Sequence, residues 1–203
     1  MIGNDVVDLR DAGAQAGARH PRFDERIFAP EERATLAADD CPDRLRWIFW
    51  AAKEAAYKVA RKRDRACVFS PVRFVVKLSG SSEGVVELGA ARFPVRVMAS
   101  SGVVHAVATD AAFSDARLCM GVRELPPEAL LDPAAPGRAA RELAVSHLRS
   151  RCAEGGALRV ARDGRIPVLE VDGERSAADL SLSHHGRWVA FACQLPERGE
   201  LSA

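Results

Sequence analysis

Paired cysteines are missing from this chain: Cys41, Cys67, Cys119, Cys152 and Cys193 are odd in number, widely spread and never spaced Cys-x-x-Cys. They read as free thiols in a reducing compartment. An excess of either charge is missing too. With 29 Lys+Arg against 28 Asp+Glu the net charge is +1, which argues against a general nucleic-acid binder. No basic segment leading into an apolar run opens the sequence, so no signal peptide is expected. No stretch reaches the ~18 apolar residues of a membrane span. These absences predict a soluble, cytoplasmic protein with neither nucleic acid nor membrane as partner. What the chain does have is apolar content: 48% of its 203 residues are hydrophobic, enough to bury a core in one domain or two small ones.

Periodicity divides the chain. Residues 2–9 are apolar and β-branched enough for a buried strand, and Gly13 and Gly17 mark a loop. A short helix is predicted over 23–28. Pro30, Glu31 and Glu32 suit the first turn of the next one, where the helix dipole favours acids. Pro42-Asp43 opens a long helix to about Lys62, with Leu45, Ile48, Phe49, Ala52, Ala55, Ala56 and Val59 on its buried stripe. The period then changes to two, predicting strands over 72–78, 84–88, 93–99, 103–109 and 118–122. Residues 125–137, with Pro126, Pro127, Pro133 and Pro136, read as a linker. A helix over 138–152 and strands near 158–161, 168–171, 179–183 and 187–194 follow. The expectation is an α+β protein of two related halves, 1–124 and 138–203, joined by the linker 125–137. Gly102 to Ala108 and Gly186 to Ala192 share the pattern Gly-x-x-x-Ala-x-Ala, an echo that by itself reads as chance between small-residue strands.

Chemistry-bearing residues gather at a few places. On the long helix Trp47, Trp50, Glu54, Lys58 and Arg61 follow steps of three and four, which sets a carboxylate and an ammonium on one face. A Glu–Lys pair is ordinarily a surface pair, but two tryptophans continuing the row argue against a purely solvated face. Asp5 lies inside a β-branched run, where an unpaired carboxylate is costly, and is either a strand-end carboxylate or a ligand. Asp5 and Asp8 face opposite sides of a regular strand, so one of them aims at a given metal, and Asp5 is the candidate. Two carboxylates, Asp5 and Glu54, can hold Mg²⁺, and Lys58 beside them can grip the phosphate that the metal binds. That is equipment for phosphoryl-group chemistry. Ser183-His184-His185-Gly186-Arg187-Trp188 is a polar turn that either presents donors to a phosphate or caps backbone groups. Strand neighbours Ser183 and His184 face opposite ways and no Gly-x-Ser-x-Gly elbow surrounds them, which excludes a serine hydrolase. Arg61, Lys62, Arg63 and Arg65 suit a helix C-terminus and also an acidic partner.

Taken together, these pieces resemble the 4′-phosphopantetheinyl transferases over nearly the whole chain. Family members carry a Gly-x-Asp strand start, matched by Gly3-Asn4-Asp5, and a Trp-x-x-Lys-Glu helix with a further Lys downstream, matched from Trp50 through Lys58. The larger, surfactin-type members add a Gly-Lys-Pro turn and an Asn-(Ile/Leu)-Ser-His-Ser-Gly-Arg-Trp segment. Gly164-Arg165-Ile166-Pro167 and Ser181 through Trp188 look like these two. Arg26-Ile27-Phe28 with Glu31-Glu32 is similar to the family's Arg-Phe-Phe-x-x-x-Glu segment. The order differs: here the Gly-x-Asp half opens the chain and the Ser-His half closes it, as in a circular permutation, which places the strand at 187–194 beside residues 2–9. Val7 stands where surfactin-type enzymes have Glu, and the resulting Asp-x-x-acid pattern is similar to that of the short holo-acyl-carrier-protein synthases.

The resemblance implies two pseudo-symmetric halves, each a small antiparallel sheet packed on a long helix. It implies Mg²⁺-dependent transfer of the 4′-phosphopantetheine group from coenzyme A to a serine of an apo acyl or peptidyl carrier protein, releasing adenosine 3′,5′-bisphosphate. Fatty-acid, polyketide or peptide-synthetase pathways are the settings it suggests. The implied roles are Asp5 and Glu54 for the metal and Glu54 and Lys58 for catalysis. Lys53, Lys58, Arg165, Ser183 and His184 would bind coenzyme A, with Arg138 and Arg141 as further candidates. Arg61, Lys62, Arg63 and Arg65 would meet the acidic carrier. With both halves in one chain, a monomer is expected. The valine at position 7 leaves open an alternative, a non-catalytic coenzyme A or carrier-protein binding module.

Overall fold

The computed structural model describes residues 1–152 and 156–196. The chain opens with β1 (Ile2–Asp8), followed by two short 3₁₀ turns, α1 (Phe23–Ile27), α2 (Pro30–Ala38) and the long α3 (Pro42–Arg63). After α3 come β2 (Val75–Leu78), β3 (Glu83–Leu88), β4 (Ala91–Ala99) and β5 (Val103–Thr109). A second series repeats the plan: β6 (Leu118–Glu124), α4 (Ala135–Cys152), β7 (Leu158–Asp163), β8 (Ile166–Val171), β9 (Glu174–His185) and β10 (Trp188–Gln194). Each series makes one five-stranded antiparallel sheet, β1-β5-β4-β3-β2 and β6-β10-β9-β8-β7. In both, the first strand leads into the long helix and then pairs with the last strand. The α+β architecture of two related halves is therefore present. No helix among the described residues is long and apolar enough to cross a membrane.

The boundary between the sheets differs from the expected one. Leu118–Glu124, expected in the first half, pairs with β10 and belongs to the second sheet. The sheets are joined by residues 110–117. The proline-rich stretch 125–137 lies inside the second series, as a 3₁₀ turn at Pro127–Leu131 and the first turn of α4. Proline marked irregular backbone there, not a break between halves. The Gly-x-x-x-Ala-x-Ala echo falls on the corresponding strands β5 and β10, but out of phase. Ala106 and Ala108 face the α3 core, whereas in β10 it is Val189, Phe191 and Cys193 that face the α4 core.

The burial of α3 goes well beyond the predicted stripe. Its apolar stripe meets the first sheet, and Arg46, Trp47 and Lys53 are buried as well, because α1, α2 and the 69–74 loop cover the opposite side. Trp47 donates from Nε1 to the Ala14 carbonyl at 2.9 Å, and Trp50 and Tyr57 pack against Phe69. Lys53 and Glu32 form an ion pair at 2.6 Å with no side-chain exposure on either partner. Lys53 Nζ also donates to the carbonyls of Pro71 and Phe74, and Glu32 accepts from the backbone N–H groups of Ala29 and Val76. Every strong polar direction of the pair is used, which is the condition for a charge pair to be tolerated in a core.

The two halves meet where the outer edge of β1 abuts the face of β9. The N–H groups of Ile2, Asn4 and Asp8 donate to Asp179 Oδ2 (2.6 Å), Ser181 Oγ (3.0 Å) and His185 Nδ1 (3.1 Å). These acceptors alternate along β9, so all stand on one face. From the other side, Lys62 donates to the Ile2 carbonyl and Lys58 to the Asn4 carbonyl, each at 2.7 Å. Lys62 also holds Asp179 Oδ1 and the Leu180 carbonyl. At the end of β1, Asp8 accepts from Arg187 N (3.1 Å) and Nε (2.9 Å). Gly186 there adopts φ 53°, and a Cβ on it would lie 2.6 Å from Asp8 Oδ2, so glycine is required on both counts.

Two expected outcomes follow. Lys53→Met leaves Glu32 buried without its counter-charge and lowers unfolding free energy by about 3–5 kcal/mol, read by urea denaturation. Burial opposes the charge on Asp8, but the bonds from Arg187 and from the N–H of Arg10 outweigh it and hold the carboxyl below its ordinary 3.8. The resulting stability is complete above that value and is lost as pH falls through the lower folded pKa. Asp8→Asn therefore costs about 1.5–3 kcal/mol at pH 7, and its gap to the wild type closes on acidification.

Candidate active site

Close approach of α3 to β1 builds the site. A Cβ on Gly3 would stand 2.1 Å from the Ala55 carbonyl oxygen, so only glycine lets the helix lie this near the strand. Two residues on, Asp5 points to the helix, and its Oδ1 accepts from Lys58 Nζ at 3.1 Å. The Asp5 side chain is 16% exposed and that of Lys58 29%, so the pair sits at the mouth of the contact rather than in the core. Glu54, one turn before Lys58, is the second carboxylate.

The charges there are out of balance. Burial pushes the Asp5 carboxyl above its ordinary value, and Lys58 only partly offsets it. Burial pushes Glu54 up to about 7, the negative charge of Asp5 adds to the shift, and Lys58 again works against it. Two hard oxygen donors, mutually repelling and short of one positive charge, suit a divalent cation such as Mg²⁺. Among the described residues no group of three or more His, Cys, Asp or Glu side chains assembles around them. Val7 lies buried in the α3 core, and Asp8 is committed to Arg187. Any further ligands are therefore not carboxylates of this strand.

A cleft of about 230 Å³ opens on the second half, lined by Arg141 of α4, Arg162 of β7, Arg165 of the β7–β8 turn, Pro167 of β8, and Leu182 and His184 of β9. Burial lowers the His184 pKa, the positive charges of Lys58 and Arg141 add to the shift, and Asp5 works against it. His184 thus lies within electrostatic range of both the carboxylate pair and the arginine-lined cleft. Arg165 and His184, predicted from the sequence, share this cleft with Arg141. Arg138 instead pairs with Asp132. Arg162 was not anticipated; the Arg-Asp-Gly-Arg run, two arginines flanking a turn at Gly164 (φ 62°), was the available signal.

Several expected ligand contacts are overturned. Lys53 is sealed in the core on Glu32 and cannot touch a bound molecule. Ser183 faces β1, where its Oγ accepts from Asn4 Nδ2 at 2.9 Å, opposite to the cleft side of β9. Lys62 is a clamp on β1 and β9 with only 8% side-chain exposure, so it is removed from the basic rim. Arg63 pairs with Asp110 and Arg65 with Asp163, the latter across the two halves, while Arg61 donates to the Tyr57 hydroxyl. No local pattern pointed to the fully buried Asn4–His105 pair at 3.1 Å, in which burial and then Lys58 press His105 down to about 3 and keep it neutral.

Comparison with known families agrees with this geometry. The profile of the 4′-phosphopantetheinyl transferase superfamily matches residues 1–108, a span that runs from β1 into β5 and contains Asp5, Glu54 and Lys58. No curated protein matches the chain. With more than half of its length matched, and with the Gly-x-Asp strand and the Lys-Glu helix in contact, the chain belongs to the 4′-phosphopantetheinyl transferase superfamily.

Proposed function

We propose that the protein transfers the 4′-phosphopantetheine group of coenzyme A to a serine hydroxyl of an acidic acyl or peptidyl carrier protein, with Mg²⁺ as cofactor. Superfamily membership carries phosphopantetheinyl transfer in general. The observation that supports the finer reading is the unbalanced Asp5–Glu54–Lys58 cluster next to a cleft lined by Arg141, Arg162, Arg165 and His184. Asp5 and Glu54 would hold Mg²⁺, which supplies positive charge against the pyrophosphate.

The chain's own residues account for the remaining roles. Arg165, Arg141 and His184 bind the phosphate-bearing nucleotide end of coenzyme A in the cleft. Lys58, fixed by the Asn4 carbonyl and Asp5, presents its ammonium to the pyrophosphate as a point charge. The carrier serine Oγ bonds to the phosphorus that bears the pantetheine arm, and the P–O bond to the second phosphate breaks. Adenosine 3′,5′-bisphosphate leaves with the electron pair, and Glu54 accepts the serine proton. The nucleophile belongs to the partner, so this chain needs none of its own. Arg61, Arg63 and Arg65 remain as the rim for an acidic carrier, steering the encounter more than holding it.

The arrangement of the chain supports two further parts of the reading. β1 packs against β9 and β10, as expected if the halves are in permuted order relative to surfactin-type enzymes. Both halves are supplied by one chain, which suits a monomer. Cys41, Cys67 and Cys119 hold free thiols, in keeping with a cytoplasmic setting.

Glu54→Gln separates activity from stability. Transfer, followed by the mass gain of an apo carrier protein with coenzyme A and Mg²⁺, should fall at least a thousandfold. Transfer near the wild-type rate would remove Glu54 from the mechanism. A carboxyl whose folded pKa is raised destabilises the fold as pH climbs from its ordinary 4.5 to about 7. In the metal-free protein the same variant is therefore more stable than wild type above pH 7, by up to about 3 kcal/mol, and equal to it near pH 4.5. Replacing His184 or Arg165 by alanine should raise KM for coenzyme A by about tenfold or more, as expected for losing a charge-assisted bond, with the melting temperature little changed.

A further inference from the structure

The second half repeats the junction of a strand with the long helix that follows it, and an open cavity lies beside that junction. Lys62 of α3 donates to the carbonyl of Ile2, and Arg151 of α4 donates to that of Leu118 at 3.2 Å. Each is a helix cation on the first residue of the strand that precedes the helix. Aligning these contacts sets His147 in the place of Lys58, Leu143 in that of Glu54 and Gly121 in that of Asp5. A Cβ on Gly121 would come 3.4 Å from His147 Nε2, so strand and helix meet here as Asp5 and Lys58 do in the first half. Both carboxylates are gone, and the basic residues remain.

The site is an open cavity of about 430 Å³ at the boundary of the halves. Its walls carry Arg96 from β4, His147 and Arg151 from α4, and the apolar Leu118 and Met120 from β6. His147 Nδ1 is 2.9 Å from the Leu143 carbonyl and so carries the proton. Arg96 lies over the Phe113 ring at 4.6 Å and already holds two carboxylates of the chain itself, Glu83 at 3.2 Å and Asp115 on the segment that joins the sheets. Asp115 is 80% exposed, so solvent and solutes compete with it directly.

We propose that this cleft binds a small organic phosphate, its phosphate on Arg96 and Arg151 and its apolar part against Leu118 and Met120, with Asp115 as an internal competitor. Gly121 and Leu143 leave this junction without the two acids of the first half, while Arg96 and Arg151 line the cavity beside it, so an anion is favoured over a cation. The assignment rests on the geometry of the second half and stands whether or not the first site transfers phosphopantetheine.

Phenyl phosphate is the probe, titrated into the full-length protein and followed by amide chemical shifts in ¹H–¹⁵N spectra. Residues 118–121 and the Phe113–Asp115 segment should shift with saturation. Arg96→Gln should weaken that response by about tenfold or more, and Asp115→Asn, at an exposed position, should tighten it by about two- to fivefold because the competing charge is removed. Phenol, which has no phosphate, should leave these amides unmoved. Shifts confined to the cleft around Arg165 and His184, or a response equal for phenol and phenyl phosphate, would overturn the proposal, as would an affinity unaltered by Asp115→Asn.

Discussion

A strand at the edge of a sheet exposes a row of N–H and C=O groups, and burying that edge is costly unless each group finds a partner. β1 is such a strand, and side chains complete it where a neighbouring strand is missing. Asp179, Ser181 and His185 take its N–H groups, and Lys58 and Lys62 take its carbonyls. Each bond is worth only about 0.5–1.5 kcal/mol net, but leaving any of them unmade inside the interface costs more than making it gains. The join between the halves is thereby directional. Sliding β1 by one residue would set its N–H groups against empty positions on β9 and take the lysines off their carbonyls.

The same join delivers the chemistry. Lys58 is both a clamp on the Asn4 carbonyl and a partner of Asp5, so the ammonium of the site is positioned by the contact that holds the halves together. Gly3 permits α3 to lie close enough for Glu54 and Asp5 to sense each other's charge. The Ser-His-His-Gly-Arg-Trp segment serves both purposes by alternation. Ser183, His185 and Arg187 turn to β1, while His184 turns to the arginine-lined cleft. Glu54 carries the cost of the arrangement, since burial and the charge of Asp5 raise its carboxyl to about 7.

The two halves differ in few side chains at the junction of strand and helix. Both place a strand, a long helix and a basic residue four positions from the next in the same relation. Asp5 and Glu54 in one half stand against Gly121 and Leu143 in the other, so a pair of acids is found at the first junction and an apolar pair at the second. The connectivity alone is indifferent to function.

The elements and the residue types were legible in the sequence. The three-to-four period from Leu45 to Val59 marks α3 because a helix must bury one stripe, and the two-residue period after it marks strands for the same reason. Asp5, Glu54 and Lys58 were visible as charges in apolar company, and the family motifs tied them together. What lay outside its reach was direction and partnership. Lys53 and Lys58 are both lysines of one helix, yet one is sealed on Glu32 and the other stands at the site, because α2 and the 69–74 loop cover only one side of α3. Lys62 reads as surface charge until β9 is placed over it. β6 reads as the end of the first half until β10 pairs with it, since strand pairing is a long-range choice that no local pattern encodes. The sequence by itself determined which segments are helix and strand and which side chains are able to bind metal and phosphate, through periodicity and chemical type. Only the tertiary structure decided which of those side chains are spent holding the two sheets together and which are left to meet a ligand, because that depends on what packs against each face.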